Sequence, residues 1–394
     1  MKRALFLLTL LLCLSFCSCS QPSGTNPDIN DDPPAKPPAS QQPETPQGAK
    51  DPQKEYIEAQ LNSMSLEEKV GQVFFVRCPS AQALEDISRY HLGGYLLFAR
   101  DYKDDTGTYL TAEAFLQKID SYQSAAAIPL LIGTDEEGGT VTRASQNPHL
   151  FPQKRRSPQS VYASGGLTAV EEETDQTSRA LLSYGINVNF APVADVSTDP
   201  SDFIYARSLG QNAETTADYI RCAVGTMRTA GIGSVLKHFP GYGNNADTHT
   251  GIAVDQRPYQ QFLTQDFLPF QAGIEAGAGA VLVSHNIVNC MDPALPASLS
   301  AEVHRVLRED LGFNGVILTD DLAMDAVASY AQDGSAAVLA LQAGNDMVVT
   351  TDYRNQIPLV IAAVENGTIS QTQLDAAVTR VLQWKLDLGL ISLS

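Results

Sequence analysis

Short apolar runs alternate with amphipathic stretches along most of this 394-residue chain. The apolar runs are unbroken and rich in β-branched residues, as strands buried on both faces should be. They are Val73–Val76, Gly94–Phe98, Leu130–Gly133, Val188–Pro192, Ser234–Leu236, Ala280–Val283, Val316–Leu318 and Asp346–Val349. The clearest helical patterns between them are Thr111–Ala125, Glu171–Tyr184, Thr215–Ala230, Tyr259–Ala276 and Ser300–Leu311. This alternation predicts a single (β/α)8 barrel of the TIM type, with an open doubly wound sheet as the alternative.

Polar residues follow nearly every strand pattern at its carboxyl end. They are Asp135-Glu136-Glu137 after the third strand, Asp195 after the fourth, Lys237-His238 after the fifth, Ser284-His285-Asn286 after the sixth and Asp320-Asp321 after the seventh. In a barrel these ends converge on one face, where enzymes of this fold keep their active sites. In an open sheet they would spread along an edge, so the pattern favours the barrel.

Helix signals mark both ends of the folded part. Ser65 and Glu68 have the spacing of a capping box ahead of Val70, which predicts a helix start. The amphipathic stretch Leu374–Leu388 is expected to close the ring. We therefore expect one catalytic domain over residues 56–394, with no second globular domain after the barrel.

The first residues have the pattern of a targeting signal. Lys2-Arg3 form a basic start, and Ala4–Leu14 is an apolar run too short to span a bilayer. Cys19 follows the small residue Ser18, so residues 1–19 resemble a bacterial lipoprotein signal in which Cys19 is lipidated. An ordinary secretory signal is the alternative. Either signal predicts a protein that works outside the cytoplasm, and the first predicts a lipid anchor in the cell membrane.

Residues 20–55 are rich in Pro, Ser, Gln, Asn and Asp and carry almost no apolar side chains. Such a segment cannot bury enough surface to offset its ordering entropy, so we expect a disordered tether.

Three later cysteines, Cys78, Cys222 and Cys290, are odd in number and far apart. We expect them to be buried apolar residues and not a disulfide framework.

The formal net charge of −19 bears on possible partners. It argues against nucleic acid as a partner, because phosphates would be repelled, and against docking on an anionic membrane by charge alone. The lipid anchor is then the expected membrane contact. We expect the folded part to be a monomer without a metal or an organic cofactor.

Asp320 follows the seventh strand pattern, at the mouth of the predicted barrel. A carboxylate in that place can act as a nucleophile or stabilise a cation. Either Asp320 or Asp321 could instead cap a helix that begins near Leu322, and we expect Asp321 to cap while Asp320 faces the pocket. The pair could also hold a divalent metal, although no further clustered carboxylates with ligand spacing accompany it.

Asp247 and His249 lie in a loop of small residues after the Pro240-Gly241 break. A lone histidine in a loop is more often a surface residue than a catalyst. Here an aspartate two residues away can bond one ring nitrogen, fix the tautomer and leave the other nitrogen to deliver a proton. This dyad is therefore the best candidate for the general acid/base.

Lys237 and His238 are consecutive, so on a regular strand their side chains would point to opposite faces. The Pro240-Gly241 break lets the chain turn, and we expect both side chains to reach the rim of the barrel. The alternative for Lys237 is a buried ion pair with a barrel carboxylate such as Asp195.

Three further side chains, Asp135, Arg143 and Arg207, fit a polar pocket that binds hydroxyl groups through bidentate contacts. Surface salt bridges are the alternative for them, above all for Arg143. Ser284-His285 is not expected to form a nucleophile pair, because adjacent residues rarely meet in that geometry and no nucleophile-elbow pattern is present.

These motifs together resemble glycoside hydrolase family 3, and most closely its bacterial β-N-acetylhexosaminidase branch. The similarity covers roughly residues 56–390. The matching motifs are Lys237-His238-Phe239-Pro240-Gly241, Asp247-x-His249, Asp135-x-Glu137-Gly138-Gly139 with Arg143, Ala191-Pro192-Val193-Ala194-Asp195-Val196 and Gly315-Val316-Ile317-Leu318-Thr319-Asp320-Asp321-Leu322.

The resemblance implies hydrolysis with retention of configuration. It implies that Asp320 attacks the anomeric carbon, and that His249, held by Asp247, protonates the leaving oxygen and then activates water. This differs from the usual pair of carboxylates in retaining enzymes. It also implies a set of residues that bind the N-acetylglucosamine ring, namely Asp135, Arg143, Arg207, Lys237 and His238.

Two departures from the family pattern lie ahead of the dyad. Tyr242-Gly243 replaces the usual His-Gly, and the stretch from there to Asp247 is one residue shorter than in the cytoplasmic enzymes. The dyad itself is retained.

We therefore expect a lipid-anchored, extracytoplasmic exo-β-N-acetylglucosaminidase that acts on cell-wall fragments or related glycans. A β-glucosidase-type specificity is one alternative, although the two-domain β-glucosidases of the family use a Glu beyond the barrel. A non-catalytic sugar-binding lipoprotein is the other alternative. Phosphorolysis also stays open, since inorganic phosphate could take the place of water.

Overall fold

The computed structural model describes residues 51–245, 253–331 and 335–393. Within these ranges eight parallel strands close into a barrel, which confirms the predicted (β/α)8 fold. The strands are β1 (Phe74–Arg77), β2 (Gly94–Leu97), β3 (Leu131–Thr134), β4 (Val188–Asn189), β5 (Gly233–Phe239), β6 (Ala280–Val283), β7 (Val316–Asp321) and β8 (Met347–Thr350). Because β8 pairs with β1, the open-sheet alternative is wrong.

Strand order around the barrel follows chain order. β5 and β7 extend further than their apolar patterns predicted, so Lys237-His238 and Asp320-Asp321 are part of the strands themselves. A separate pair of short parallel strands, Val254–Asp255 and Ile287–Val288, joins the loops that follow β5 and β6.

Helices surround the barrel and connect its strands. The α-helices are Pro52–Ser63, Leu66–Gln72, Ala83–Tyr90, Ala112–Ala125, Pro158–Ser183, Ala213–Ala230, Tyr259–Gln261, Phe267–Ala276, Ala301–Arg305, Asp325–Ala328, Ala336–Ala343, Tyr353–Glu365 and Gln371–Asp387. Two π-helical turns, Phe262–Asp266 and Val306–Asp310, continue the helices before them, and short 3-10 turns lie at Ala99–Tyr102, Ala144–Gln146 and Ala297–Leu299. Among the helices in the described ranges, none is both long and apolar enough to cross a membrane.

The predicted capping box is present at the second helix. The Ser65 side chain accepts a hydrogen bond from the backbone of Glu68, whose carboxylate accepts one from the Ser65 backbone. The first helix begins at Pro52, slightly before the start that the sequence predicts at residue 56. Residues 1–50, with Cys19 and most of the expected tether, lie outside the described residues.

Alternate strand residues fill two separate layers of the core. On β1, Phe75 packs inside the barrel, whereas Phe74 and Val76 pack against the helices. Phe75 meets Phe190 edge to face, with the ring centroids 5.2 Å apart. The predicted carboxyl-terminal helix places Trp384 at the opposite end of the barrel, where a Cβ atom on Gly279 would lie 2.3 Å from the indole nitrogen.

The three described cysteines differ in exposure. All are free thiols, as expected. Cys78 is buried, but Cys222 is half-buried and Cys290 is exposed, so the prediction that all three are buried is wrong for the latter two. Burial raises the pKa of the Cys78 thiol to about 12, which makes it inert.

Truncating Phe75 should destabilise the barrel strongly. The side chain is fully buried, and Phe75→Ala should lower the free energy of unfolding by about 3–5 kcal/mol through lost burial and the cavity left behind. Urea unfolding measures this. The control is Leu84→Ala, since Leu84 is 46% exposed on a helix and its loss should cost no more than about 0.5 kcal/mol. Equal losses for the two variants would contradict the assigned interior layer.

Candidate active site

A cavity of about 460 Å³ opens at the carboxyl end of the barrel strands. It is lined by the predicted site residues Asp135, Arg143, Arg207, Lys237, His238 and Asp320. The structure therefore brings together all of the predicted residues that fall within its described part. Asp247 and His249 lie outside the described residues, as does Cys19.

Lys237 joins two carboxylates in the wall of the cavity. Its Nζ lies 2.7 Å from Asp135 Oδ1 and 2.5 Å from Glu137 Oε1. The lysine side chain is only 3% exposed, so the ion pairs are screened little by solvent. The alternative of a buried ion pair with a barrel carboxylate is therefore present, although its partners are Asp135 and Glu137. Asp195, the partner named as an example, is bound to His238 instead.

Glu137 also receives a bidentate contact from Arg207. Arg207 Nε and Nη2 lie 2.9 and 2.8 Å from the two carboxylate oxygens. Burial alone would raise the pKa of Glu137, but the Lys237 and Arg207 cations outweigh it and lower that pKa to about 2. Glu137 is therefore ionised at neutral pH and holds both cations in place.

His238 is oriented by Asp195. The carboxylate accepts hydrogen bonds from His238 Nδ1 at 2.7 Å, from the His238 backbone N–H at 3.1 Å and from the Tyr242 backbone N–H at 2.7 Å. Since the Arg207 guanidinium beside Nε2 only donates, the ring proton is on Nδ1. His238 Nε2 then accepts from Arg207 Nη2, 3.0 Å away, and the pair presents one polar edge to the cavity.

Lys237 and His238 both line the cavity, as predicted, because β5 is irregular at this point. Its register with β6 shifts between Leu236 and Phe239, so the strict alternation of side chains is lost. The peptide bond between the two residues is cis.

Asp320 and Asp321 end β7 at the cavity, and their environments differ. Asp321 accepts a hydrogen bond from the Ala323 backbone at 3.0 Å and from Thr351 Oγ1 at 3.3 Å, so its carboxylate holds the turn. Burial raises the pKa of Asp321. The predicted helix start near Leu322 is wrong, because the next helix begins at Asp325 and Asp321 caps a turn instead.

Glu136 and His285, two other polar residues that follow strands, have structural roles. Glu136 points into the wall and accepts hydrogen bonds from Ser145 Oγ and from the backbone of Arg143 and Ser145. His285 bonds Ser298 Oγ at 2.7 Å, which agrees with the view that Ser284-His285 is not a nucleophile pair. No group of three His, Cys, Asp or Glu within the described ranges could hold a metal ion.

Comparison with known proteins identifies the family. The model of the glycosyl hydrolase family 3 N terminal domain matches residues 65–384. The chain belongs to that family. The predicted resemblance is thereby confirmed, and with it the expectation of a glycoside hydrolase at the level of the family.

Two similar proteins are named as β-hexosaminidases. The β-hexosaminidase of Methylococcus capsulatus is 31% identical over 297 residues, which are 74% of this chain and 85% of that protein. β-Hexosaminidase A of Pseudoalteromonas piscicida is 30% identical over 329 residues, and the match covers 77% of this chain but 55% of that protein. This family 3 chain thus spans only about half the length of the latter relative.

The fold of a solved structure superposes on most of this chain. The glycoside hydrolase family 3 β-N-acetylglucosaminidase from Paenibacillus sp. strain FPU-7 superposes with a TM-score of 0.76 and is 30% identical. The superposition covers 84% of this chain and 65% of that one.

Sequence reasoning missed Arg77 and Phe98, which also line the cavity of this family 3 barrel. The Arg77 guanidinium lies 4.0 Å from the centre of the Phe98 ring, and Arg143 approaches the same ring at 5.6 Å. Neither arginine forms an ion pair with a described residue, so the salt-bridge alternative for Arg143 finds no support there. The rule that polar residues follow the strand patterns, if applied to Val73–Val76, would have found Arg77.

The stability of the enzyme should depend on pH through Glu137. Its folded-state pKa of about 2 lies below the ordinary value of 4.5, so its contribution is present above pH 4.5 and is lost as the pH falls toward 2. A shift of this size corresponds to about 3 kcal/mol. Glu137→Gln should therefore lose less stability than the parent when urea unfolding at about pH 6 is compared with about pH 2.5.

The matched control is Glu85→Gln, which removes an exposed glutamate on a helix. This variant should follow the parent profile. A Glu137→Gln profile parallel to the parent would show that the ion pairs with Lys237 and Arg207 do not stabilise the fold.

Proposed function

We propose that this protein is a retaining exo-β-N-acetylglucosaminidase that releases terminal β-linked N-acetylglucosamine from cell-wall fragments or related glycans. The observation that carries the proposal is the single cavity that Asp320 shares with the ion-paired Lys237, Arg207 and His238. Membership of family 3 and the names of the relatives support the substrate class.

In the proposed reaction, Asp320 attacks the anomeric carbon as the bond to the leaving oxygen breaks. His249, oriented by Asp247, gives its proton to that oxygen. The same imidazole then takes a proton from water, whose oxygen displaces Asp320 from the anomeric carbon and regenerates the free carboxylate. Two displacements at one carbon retain its configuration.

The pocket residues bind and orient the sugar in this proposal. Arg207 and Lys237 keep N–H donors at the cavity, and Asp135 supplies an acceptor for a hydroxyl group. Because Glu137 holds both cations in fixed geometry, the donors do not need to be reorganised when the sugar binds. Arg143 completes the set on the face formed with Phe98.

The cellular setting is also a proposal. Lipidation of Cys19 would anchor the protein outside the cytoplasm, and the polar segment between Cys19 and the first helix would tether the barrel to the membrane. Cell-wall glycans are accessible there. A monomer without a metal or an organic cofactor is sufficient for the chemistry described above.

Removing the carboxylate of Asp320 should abolish measurable turnover, because Asp320 is the nucleophile that forms the proposed glycosyl-enzyme intermediate. Asp320→Ala is assayed with an aryl β-N-acetylglucosaminide, and thermal unfolding checks that the variant is folded. In the parent protein, a 2-fluoro sugar should label the peptide that contains Asp320, and fragmentation should place the label on that residue. Full activity of Asp320→Ala, or a label on Asp321, would contradict the mechanism.

A panel of aryl glycosides should separate the proposed function from its alternatives. We expect the N-acetylglucosaminide to exceed the glucoside by about 100-fold or more in kcat/KM, because a site built to bind the acetamido group is left with unpaired groups by glucose. Reactions with and without inorganic phosphate should give the same free sugar. A glucoside preference, a sugar phosphate product or binding without turnover would each favour one of the rivals.

A further inference from the structure

Arg257 is the centre of a buried ionic cluster beside the active site. Its Nε lies 3.1 and 2.9 Å from the two Asp255 oxygens, and its Nη1 lies 3.0 and 2.8 Å from those of Asp266. Its Nη2 donates to Asp255 Oδ2 at 2.7 Å and to the Gly241 carbonyl at 3.0 Å. Both carboxylates are 1% exposed, so the cluster is directional and well shielded from solvent.

The cluster ties together the two chain segments that flank residues 246–252. On the amino-terminal side, Asn245 Nδ2 donates to Asp255 Oδ2 at 2.7 Å. On the carboxyl-terminal side, Asp255 itself lies in the short strand that pairs with Ile287–Val288. One carboxylate therefore fixes the distance between Asn245 and Val254–Asp255, and Asp247 and His249 lie between these two points in the sequence.

The glycines of this region allow the cluster to pack against the backbone. A Cβ atom on Gly243 would lie 2.5 Å from the Arg257 guanidinium carbon, and one on Gly241 would lie 2.3 Å from Asp266 Oδ1. Both glycines also have positive φ angles, 121° at Gly241 and 53° at Gly243. On its other side, the guanidinium lies 4.4 Å from the centre of the Phe262 ring. Arg257 is thus held between the Pro-Gly turn and a helix.

Stability alone does not account for such a cluster. Buried ion pairs often add little to stability compared with well-packed apolar side chains, because both charges must be desolvated. Ion pairs with bidentate geometry do, however, fix the positions of the backbones that carry them. The catalytic proton transfer proposed above needs that accuracy, since small errors in position cost large factors in rate.

We propose that Asp255 and Arg257, acting through Asn245, are positioning residues for the Asp247/His249 acid/base segment. This inference rests on the proposed function. It assigns to these residues no contact with substrate; they fix Asn245 and Val254–Asp255, the described residues on either side of the segment, relative to each other.

The test is Asn245→Ala, which removes the tie to Asp255 and leaves Asp255, Arg257 and Asp266 in place. We expect kcat/KM to fall about tenfold for a disaccharide substrate, whose leaving group needs a proton, and less than about twofold for a dinitrophenyl glycoside, whose leaving group does not. The matched control is Asn289→Ala, which removes a 2.7 Å side-chain contact to Gln256 next to the same strand pair. It leaves the Asp255 carboxylate and the backbone bond from Asn289 to the Asp255 carbonyl in place. The control should leave both substrates unchanged.

His249→Ala is assayed with the same two substrates, and its losses in kcat/KM are the reference for those of Asn245→Ala. If His249→Ala is selective for the disaccharide and Asn245→Ala is not, the positioning role is wrong and the proposed function stands. If His249→Ala slows both substrates equally, the acid/base assignment is wrong and the positioning role falls with it. Arg257→Lys and Arg257→Met extend the series, and selective losses that grow from lysine to methionine in folded protein would support the proposal.

Discussion

The buried carboxylate of Glu137 is the interaction on which the rest of the site depends. It accepts from Lys237 on β5 and from Arg207 in the loop after β4, while it lies itself in the loop after β3. Without Glu137, Arg207 would lose its bidentate partner and Lys237 would keep Asp135 alone, which is costly because both cations are largely buried. Three neighbouring strand ends are therefore joined by one group.

The same wall continues as a series of buried polar contacts. Arg207 contacts His238, whose ring is fixed by Asp195, and Asp195 also accepts from the Tyr242 backbone. Tyr242 lies between the two glycines that pack against Arg257 and Asp266. Ion pairs and hydrogen bonds thus run from Glu137 to Tyr242, and Arg257 contacts the carbonyl of the adjacent Gly241. Such a network is rigid when every member is satisfied, and loss of one partner leaves the others buried and unpaired.

Much of the fold was predictable because buried parallel strands have a simple signature. All eight strands were found as short β-branched runs, and the polar residues after them were correctly expected to share one cavity. What the sequence did not reveal was which charged groups pair, since pairing depends on side-chain directions set by local irregularities. The shift in β5 brings Lys237 to Asp135 and Glu137 and leaves Asp195 to His238. Arg257 escaped notice for the same reason, because its partners, Asp266 and the Gly241 carbonyl, come from separate turns of the chain.

In the proposed mechanism the nucleophile lies on a barrel strand, whereas the acid/base comes from the segment between Asn245 and Val254. This arrangement has a physical basis. Asp320 gains its position from the backbone pairing of β7, which is specified by the barrel itself. An acid/base outside the strands has no such support and needs ties of its own. An imidazole suits that place, because Asp320 and Asp321 are already close together, and a further carboxylate there would meet like charges. In the proposed mechanism, carboxylates near the imidazole would stabilise its protonated form, which the first displacement uses. In the proposed mechanism, the two carboxylates at the end of β7 are thus a reason for the partner of Asp320 to be a histidine.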